Sequence, residues 1–175
     1  VVDAADFEGS VPTRALMRHI LGDRHVLLVV NKSDRMPRLN EGDLNYLRRR
    51  YAERIPNRLI SIHGVSAHTG DGLARLAEQA REAAGDVVVF GSAGVGKTAL
   101  ARALAASIEA LDAGTVGNDA VDAAGSRLLC GGGSPASSVR EEPIGCFGAD
   151  SPRTLWDAPG LPRERTVAAR LPAEL

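Results

Sequence analysis

The sequence contains very little lysine. Only Lys32 and Lys97 are lysines among its 21 basic residues, and the others are arginines. Lysine carries a compact ammonium group on a flexible stem, whereas arginine carries a planar guanidinium fork. A chain that otherwise uses arginine keeps lysine where the ammonium group itself is needed. Lys32 and Lys97 are therefore the first candidate functional residues.

Cysteines, aromatic residues and long apolar runs are also scarce, and the net charge is close to zero. Cys130 and Cys146 are too few and too far apart for a metal knuckle, and a reduced intracellular pair is expected. The net charge of −1 argues against a chain that binds nucleic acid through its own basic surface. No apolar run reaches membrane-spanning length, so we expect no membrane span. The absence of an initial Met indicates a fragment.

The chain contains a phosphate-loop pattern, G-x-x-x-x-G-K-S/T. It occupies Gly91, Ser92, Ala93, Gly94, Val95, Gly96, Lys97 and Thr98. Residues 86–90 predict a buried strand before this loop, and residues 99–108 predict a helix after it. Lys97 is expected to reach the β- and γ-phosphates, and the Thr98 hydroxyl to bind Mg²⁺. The alternative is a glycine-rich turn with an accidental lysine.

A guanine-reading pattern, N-K-x-D, follows the apolar run Val26–Val30 as Asn31-Lys32-Ser33-Asp34. The Asp34 carboxylate can accept hydrogen bonds from guanine N1–H and the 2-amino group together, which adenine cannot supply. We expect Asn31 to connect this turn to the phosphate loop. The Lys32 stem is expected to cover one face of the base. The alternative is an ordinary Asn/Asp turn after a strand.

Two shorter patterns extend the predicted site. Ser66 and Ala67 follow the next predicted strand and suit a loop whose backbone N–H meets guanine O6. Asp157 and Gly160 match D-x-x-G at a strand end. Asp157 is expected to hold Mg²⁺ through water, and the Gly160 N–H to sense the γ-phosphate. No catalytic residue is assigned.

Apolar strands alternate with amphipathic helices, which predicts an α/β fold with a doubly wound, mostly parallel sheet. We expect a single domain over 1–175, with a guanine-reading half at 1–84 and a phosphate-loop and switch half at 85–175. A long flexible loop is predicted at about 111–139. It contains Ser137 and Ser138, and Ser138 is the candidate third Mg²⁺ ligand, with a simple linker serine as the alternative. The turns bearing Lys32 and Lys97 are expected side by side at one sheet edge.

The order of these motifs resembles a circularly permuted Ras-like GTPase of the P-loop NTPase class. Ras-like proteins run from phosphate loop through switch I, D-x-x-G and N-K-x-D to the Ser-Ala loop. This chain runs from N-K-x-D through the Ser-Ala loop, phosphate loop and predicted switch I to D-x-x-G, over essentially all residues. The stretch Asp3–Ser10 is similar to the D-x-x-D-F-x-G-S stretch of YqeH-type GTPases, whose organellar relatives include the nitric-oxide-associated proteins.

The resemblance implies a Mg²⁺-dependent protein that binds GTP and GDP, hydrolyses GTP slowly and assists small ribosomal subunit assembly. Contact with the subunit or its RNA would use domains absent from this chain. The implied location is intracellular, in a mitochondrion, another organelle or the bacterial cytoplasm. Gly94 replaces an asparagine that supports potassium in many relatives, which puts K⁺ activation in doubt. Leu161 stands where Ras-like enzymes have a water-orienting glutamine.

Two other functional classes remain open from the sequence. One is a nucleotide-binding assembly or scaffold module with weak or lost turnover. Gly94, Leu161 and the two serines of the predicted switch I, Ser137 and Ser138, favour this class. The other is an ATP-dependent P-loop enzyme, which Asp34 disfavours because adenine lacks the matching donors.

Overall fold

The computed structural model describes residues 1–36, 39–52, 59–114, 142–147 and 152–161. Its strands are β1 Val2–Asp3, β2 Val26–Asn31, β3 Leu59–Gly64, β4 Val87–Val89, β5 Glu142–Phe147 and β6 Arg153–Asp157. Its α-helices are α1 Phe7–Ser10, α2 Arg14–Leu21, α3 Glu41–Ala52, α4 Leu73–Glu82 and α5 Lys97–Asp112. A short 3₁₀ helix follows β2 at Ser33–Arg35.

The strands form two three-stranded sheets, ordered β1-β2-β3 and β4-β6-β5. All neighbouring strands are parallel except β5, which is antiparallel to β6. The backbone nitrogen of Val1 donates to the Phe90 carbonyl over 2.6 Å, which brings β1 beside the end of β4. The two sheets therefore meet at β1 and β4, the strands at their adjacent edges. This mixed, mostly parallel arrangement confirms the predicted α/β class.

Strand β2 is buried on both faces, as its uninterrupted apolar sequence predicts. Leu28 and Val30 belong to a cluster with Met17 of α2 and Tyr51 of α3. Val29 belongs to a second cluster, formed with buried residues of α4 and α5. Because successive side chains of a strand point to opposite faces, helices cover both sides of β2.

Two boundaries differ from the sequence prediction. The sequence patterns assign no helix to residues 6–10, but Phe7–Ser10 forms a helical turn because the Asp6 carboxylate accepts a hydrogen bond from Gly9 N over 3.1 Å. Helix α5 continues to Asp112 and takes the first residues of the predicted loop at 111–139. Helix α5 is rich in alanine and leucine, which are strong helix formers, so it extends past the expected boundary.

Several predictions lie outside the described residues. They are the predicted loop beyond residue 114 and the serines of the predicted switch I, Ser137 and Ser138. Within the described residues, no helix combines the length and apolar character needed to cross a membrane.

Candidate functional site

The predicted motifs all follow the carboxyl ends of parallel strands. Asn31 and Asp157 are the last residues of β2 and β6, and the Gly91–Thr98 loop begins two residues after β4 ends. The helices that follow β1 and β4 pack in different core clusters, α2 with Leu28 and Val30 and α5 with Val29. Because Val29 points to the opposite face of β2 from Leu28 and Val30, the boundary between β1 and β4 resembles a topological switch point. Ligands of open α/β sheets bind outside the carboxyl ends of the strands at such a point.

Asn31 joins three of the predicted motifs. Its side-chain Nδ2 donates to the Val95 carbonyl over 2.9 Å, and its Oδ1 accepts from Ala67 N over 3.1 Å. The residue is only 2% exposed, so both bonds are shielded from water. The expected connection between Asn31 and the Gly91–Thr98 loop is thereby confirmed as a contact.

Lys32 lies across the same loop. Its Nζ donates to the Gly94 carbonyl over 2.7 Å and forms an ion pair with Asp3 Oδ2 over 2.6 Å. The backbone of Lys32 has φ 66°, the only left-handed conformation of a non-glycine residue in the part of the chain described. The two lysine-bearing turns are therefore side by side at one sheet edge, as expected from the sequence.

Asp34 and Ser66 meet across the ends of β2 and β3. The Ser66 hydroxyl donates to Asp34 Oδ1 over 2.6 Å, and Ser66 Oγ accepts from Thr69 N over 3.1 Å. Ser66 is fully buried, whereas Asp34 is exposed at the mouth of the site. The hydroxyl thus orients a carboxylate that faces solvent.

The Gly91–Thr98 loop turns tightly ahead of α5. Gly94 and Gly96 have φ values of 78° and 88°, which side-chain-bearing residues rarely adopt. A Cβ at Gly96 would also lie 2.6 Å from Asn31 Nδ2, so glycine leaves room for that side chain. Lys97 opens α5, is 7% exposed, and donates from Nζ to the Ser92 carbonyl over 3.1 Å. The ammonium group consequently folds back over its own loop.

Thr98 and Asp157 form the third part of the site. The Thr98 hydroxyl donates to Asp157 Oδ2 over 2.5 Å. Asp157 is 2% exposed, and its Oδ1 has no hydrogen-bond partner among the described residues. A buried carboxylate oxygen without a donor is costly unless a cation or water reaches it. The same described residues contain no group of three or more His, Cys, Asp and Glu side chains able to hold a metal.

The segment after Asp157 is bonded to the Gly91–Thr98 loop through its backbone. Ala93 N donates to the Leu161 carbonyl over 2.8 Å, and Leu161 N donates to the Gly91 carbonyl over 2.9 Å. A Cβ at Gly160 would lie 3.2 Å from Lys97 Nζ, so this glycine sits directly beside the ammonium group. The D-x-x-G segment therefore packs against the loop that carries Lys97.

The described fold brings nearly all predicted site residues together. They are Asn31, Lys32, Asp34, Ser66, Ala67, Gly91, Ser92, Ala93, Gly94, Val95, Gly96, Lys97, Thr98, Asp157 and Gly160. Ser138 lies outside the described residues. The sequence analysis missed the contact of Asp3 with Lys32 and that of the Ser66 hydroxyl with Asp34. Sequence motifs do not show which side chains from different strands contact one another.

The comparisons with known proteins assign no family to the chain. No family model matches it, and no curated protein matches it. Function is therefore inferred from the sequence patterns and the geometry of the site.

Proposed function

We propose that this chain is a circularly permuted Ras-like G domain that binds GTP and GDP with Mg²⁺ and hydrolyses GTP slowly. The observation that carries the proposal is the Asn31 side chain, which bonds Val95 on one side and Ala67 on the other. The N-K-x-D turn, the Ser-Ala turn and the Gly91–Thr98 loop therefore all meet at the Asn31 side chain. A chance match to any one of these patterns would not require the other two to be its neighbours.

The base would be recognised by Asp34. Ser66 occupies one carboxylate oxygen, Oδ1, and the Asp34 side chain is exposed at the site. A carboxylate has about four lone-pair sites, so it can still accept from the two neighbouring donors of guanine. The Lys32 stem borders the same opening and offers an apolar surface to one face of the base.

The phosphates would be bound by the Gly91–Thr98 loop and the start of α5. Positive φ at Gly94 and Gly96 turns the loop backbone ahead of a helix N-terminus, whose free N–H groups favour anions. Lys97 Nζ donates to the Ser92 carbonyl of the same loop, a contact that it can exchange for a phosphate oxygen.

The residues around Thr98 and Asp157 fit Mg²⁺. Hydroxyl and carboxylate oxygens are the ligands this cation prefers, and it usually keeps several waters and uses few protein groups. The unpartnered Asp157 Oδ1 is the observation in favour, since a bound cation or its water would satisfy that buried oxygen. When bound, Mg²⁺ would neutralise phosphate charge. Thr98 and Asp157 would orient it.

Slow turnover is inferred from Leu161. Its side chain is apolar and cannot orient a water molecule, and its backbone is bonded to Gly91 and Ala93. The same observation favours a second candidate function, a nucleotide-binding assembly module without turnover. Gly94 has no side chain to hold a potassium ion, so we expect little dependence on K⁺.

Guanine selectivity tests the main proposal. Fluorescent GDP and ADP analogues are titrated into the 175-residue chain with Mg²⁺ present, and Lys97→Ala is the matched variant. We expect tight GDP binding, much weaker ADP binding and loss of tight binding in Lys97→Ala, since each hydrogen bond to a charged group is worth about 1.5–3 kcal/mol. Equal affinities for GDP and ADP would contradict guanine recognition.

Phosphate release separates the two candidate functions. Multiple-turnover release is measured in K⁺ and in Na⁺, alone and with small ribosomal subunits. Release that requires Lys97 supports a GTPase, and stimulation by subunits supports the assembly role that the resemblance to YqeH-type GTPases implies. Tight GTP binding without release under any of these conditions supports the assembly module.

A further inference from the structure

The stretch Asp3–Ser10 lies against the turns that bear both lysines. Asp3 ends β1 and is 6% exposed. Its Oδ2 is 2.6 Å from Lys32 Nζ, and that ammonium group also donates to the Gly94 carbonyl over 2.7 Å. The charge of Asp3 therefore holds Lys32 Nζ at the Gly91–Thr98 loop.

The rest of the stretch folds back on Asp3. Asp3 N donates to Ser10 Oγ over 2.9 Å, and Ser10 Oγ donates to the Phe7 carbonyl over 3.2 Å. A Cβ at Gly9 would lie 2.5 Å from Asp6 Oδ1, which accepts the hydrogen bond that begins this turn. Asp6, Gly9 and Ser10 therefore form the turn, and the Asp3 carboxylate faces Lys32.

A second contact ties the same stretch to the Gly91–Thr98 loop. The Ser92 hydroxyl donates to the Ser10 carbonyl over 2.8 Å, and both residues are buried. The loop is therefore bonded to this stretch directly at Ser92 and through Lys32 at Gly94. Two contacts on one loop restrict its movement more than either contact does alone.

We propose that Asp3 is a positioning residue for the guanine-nucleotide site: it fixes the Lys32 ammonium against the Gly94 carbonyl. The inference rests on the function proposed above. A lysine side chain has many rotamers, so its stem covers the base in one orientation only if its end is held. The left-handed backbone of Lys32 is also unfavourable for a non-glycine residue and needs surrounding contacts to persist.

A double-mutant cycle tests this role. Release of a fluorescent GDP analogue is measured for wild type, Asp3→Asn, Lys32→Met and the double variant. Methionine keeps an unbranched stem without the charge. We expect each single variant to release GDP about tenfold faster, and Asp3→Asn to add less than about twofold in the Lys32→Met background. Asp23→Asn, which removes an exposed carboxylate outside the site, should leave release unchanged.

If Asp3 had only a structural role, the double-mutant cycle would show no coupling between Asp3 and Lys32. The effect of Asp3→Asn would then be equally large with and without Lys32, and the proposal would be overturned. An unchanged release rate in Asp3→Asn would overturn it as well. If wild type binds no guanine nucleotide, the proposed function fails together with this role; if it binds and the cycle shows no coupling, only the positioning role fails.

Thermal unfolding provides a readout that needs no nucleotide and serves if Asp3→Asn alone does not fold. Lys32→Met leaves the nearly buried Asp3 carboxylate without the Lys32 cation, which is destabilising. Removing that carboxylate charge should restore part of the stability. We therefore expect a higher unfolding midpoint for the double variant than for Lys32→Met. An equal or lower midpoint would overturn the coupling between Asp3 and Lys32.

Discussion

Asn31 Nδ2 donates to the Val95 carbonyl over 2.9 Å, although the two residues are 64 positions apart in the chain. The bond is buried and joins the end of β2 to the turn that precedes α5. Gly96 makes room for it, because any side chain there would begin 2.6 Å from the Asn31 amide. The geometry of the candidate site therefore depends on a glycine and an asparagine from two different motifs.

Replacing Asn31 by alanine should weaken both the fold and the site. The variant loses two hydrogen bonds and leaves the Val95 carbonyl and Ala67 N without this partner. We expect the free energy of unfolding to fall by about 2–3 kcal/mol, measured by chemical denaturation. Asn45→Ala, an exposed position on α3, should stay within about 0.5 kcal/mol of wild type. Equal losses in both variants would contradict a structural role for the Asn31 contacts.

Removing the Thr98 hydroxyl should abolish Mg²⁺-dependent nucleotide binding. In wild type, we expect chelation of Mg²⁺ to weaken GDP affinity by about tenfold or more, because the phosphates lose a cation that neutralises their charge. In Thr98→Ala, affinity should already be low and should respond little to chelation. Thr98→Ser keeps the hydroxyl and should behave like wild type. A full response to chelation in Thr98→Ala would exclude this residue as a cation ligand.

His63 should make stability depend on pH. It is 8% exposed, and burial lowers its pKa below the ordinary 6.5, an effect that the Gln79 hydrogen bond opposes and the charge of Arg75 reinforces. The folded chain therefore binds fewer protons at this site than the unfolded chain. The stability associated with neutral His63 is complete above the unfolded pKa of about 6.5 and is lost as pH falls towards the folded pKa.

The measurement is the free energy of unfolding at about pH 7.5 and about pH 5.5 in wild type and His63→Gln. Glutamine can still bond Ser61 or Gln79, which both contact the imidazole, but it does not titrate. Wild type should lose more stability on acidification than the variant, with a slope difference of at most about 1.4 kcal/mol per pH unit for one proton. Parallel pH profiles would show that His63 does not contribute.

Short sequence motifs predicted most residues of the candidate site. Contacts between side chains that are far apart in the sequence were missed. Apolar runs such as Val26–Val30 located a strand that the structure contains within β2. The pairing of Asp3 with Lys32 was not predictable, because nothing local shows that β1 and β2 are parallel neighbours in register at Asp3 and Asn31. Register follows from burial across the whole sheet.

The helical turn Phe7–Ser10 was missed for a different reason. Four residues give too short a window for hydrophobic periodicity to be detected. The turn is recognisable only from the Asp6 cap and from the packing of Phe7 against Tyr51, whose ring centroids are 4.7 Å apart. The Asp6 cap and the contact of Phe7 with α3 together stabilise a turn that hydrophobic periodicity does not reveal.

Nucleotide preference after Asp34→Asn tests guanine recognition most directly. Asparagine replaces a pure acceptor with one donor and one acceptor group, which matches xanthine at N1–H and the 2-carbonyl in place of guanine. Affinities of wild type and variant for GTP, ATP and xanthosine triphosphate are measured under one Mg²⁺ concentration. We predict that wild type prefers GTP over ATP by about 10⁴-fold and that the variant prefers xanthosine triphosphate over GTP. Equal wild-type affinities for GTP and ATP, with no change of preference in Asp34→Asn, would contradict the proposed function.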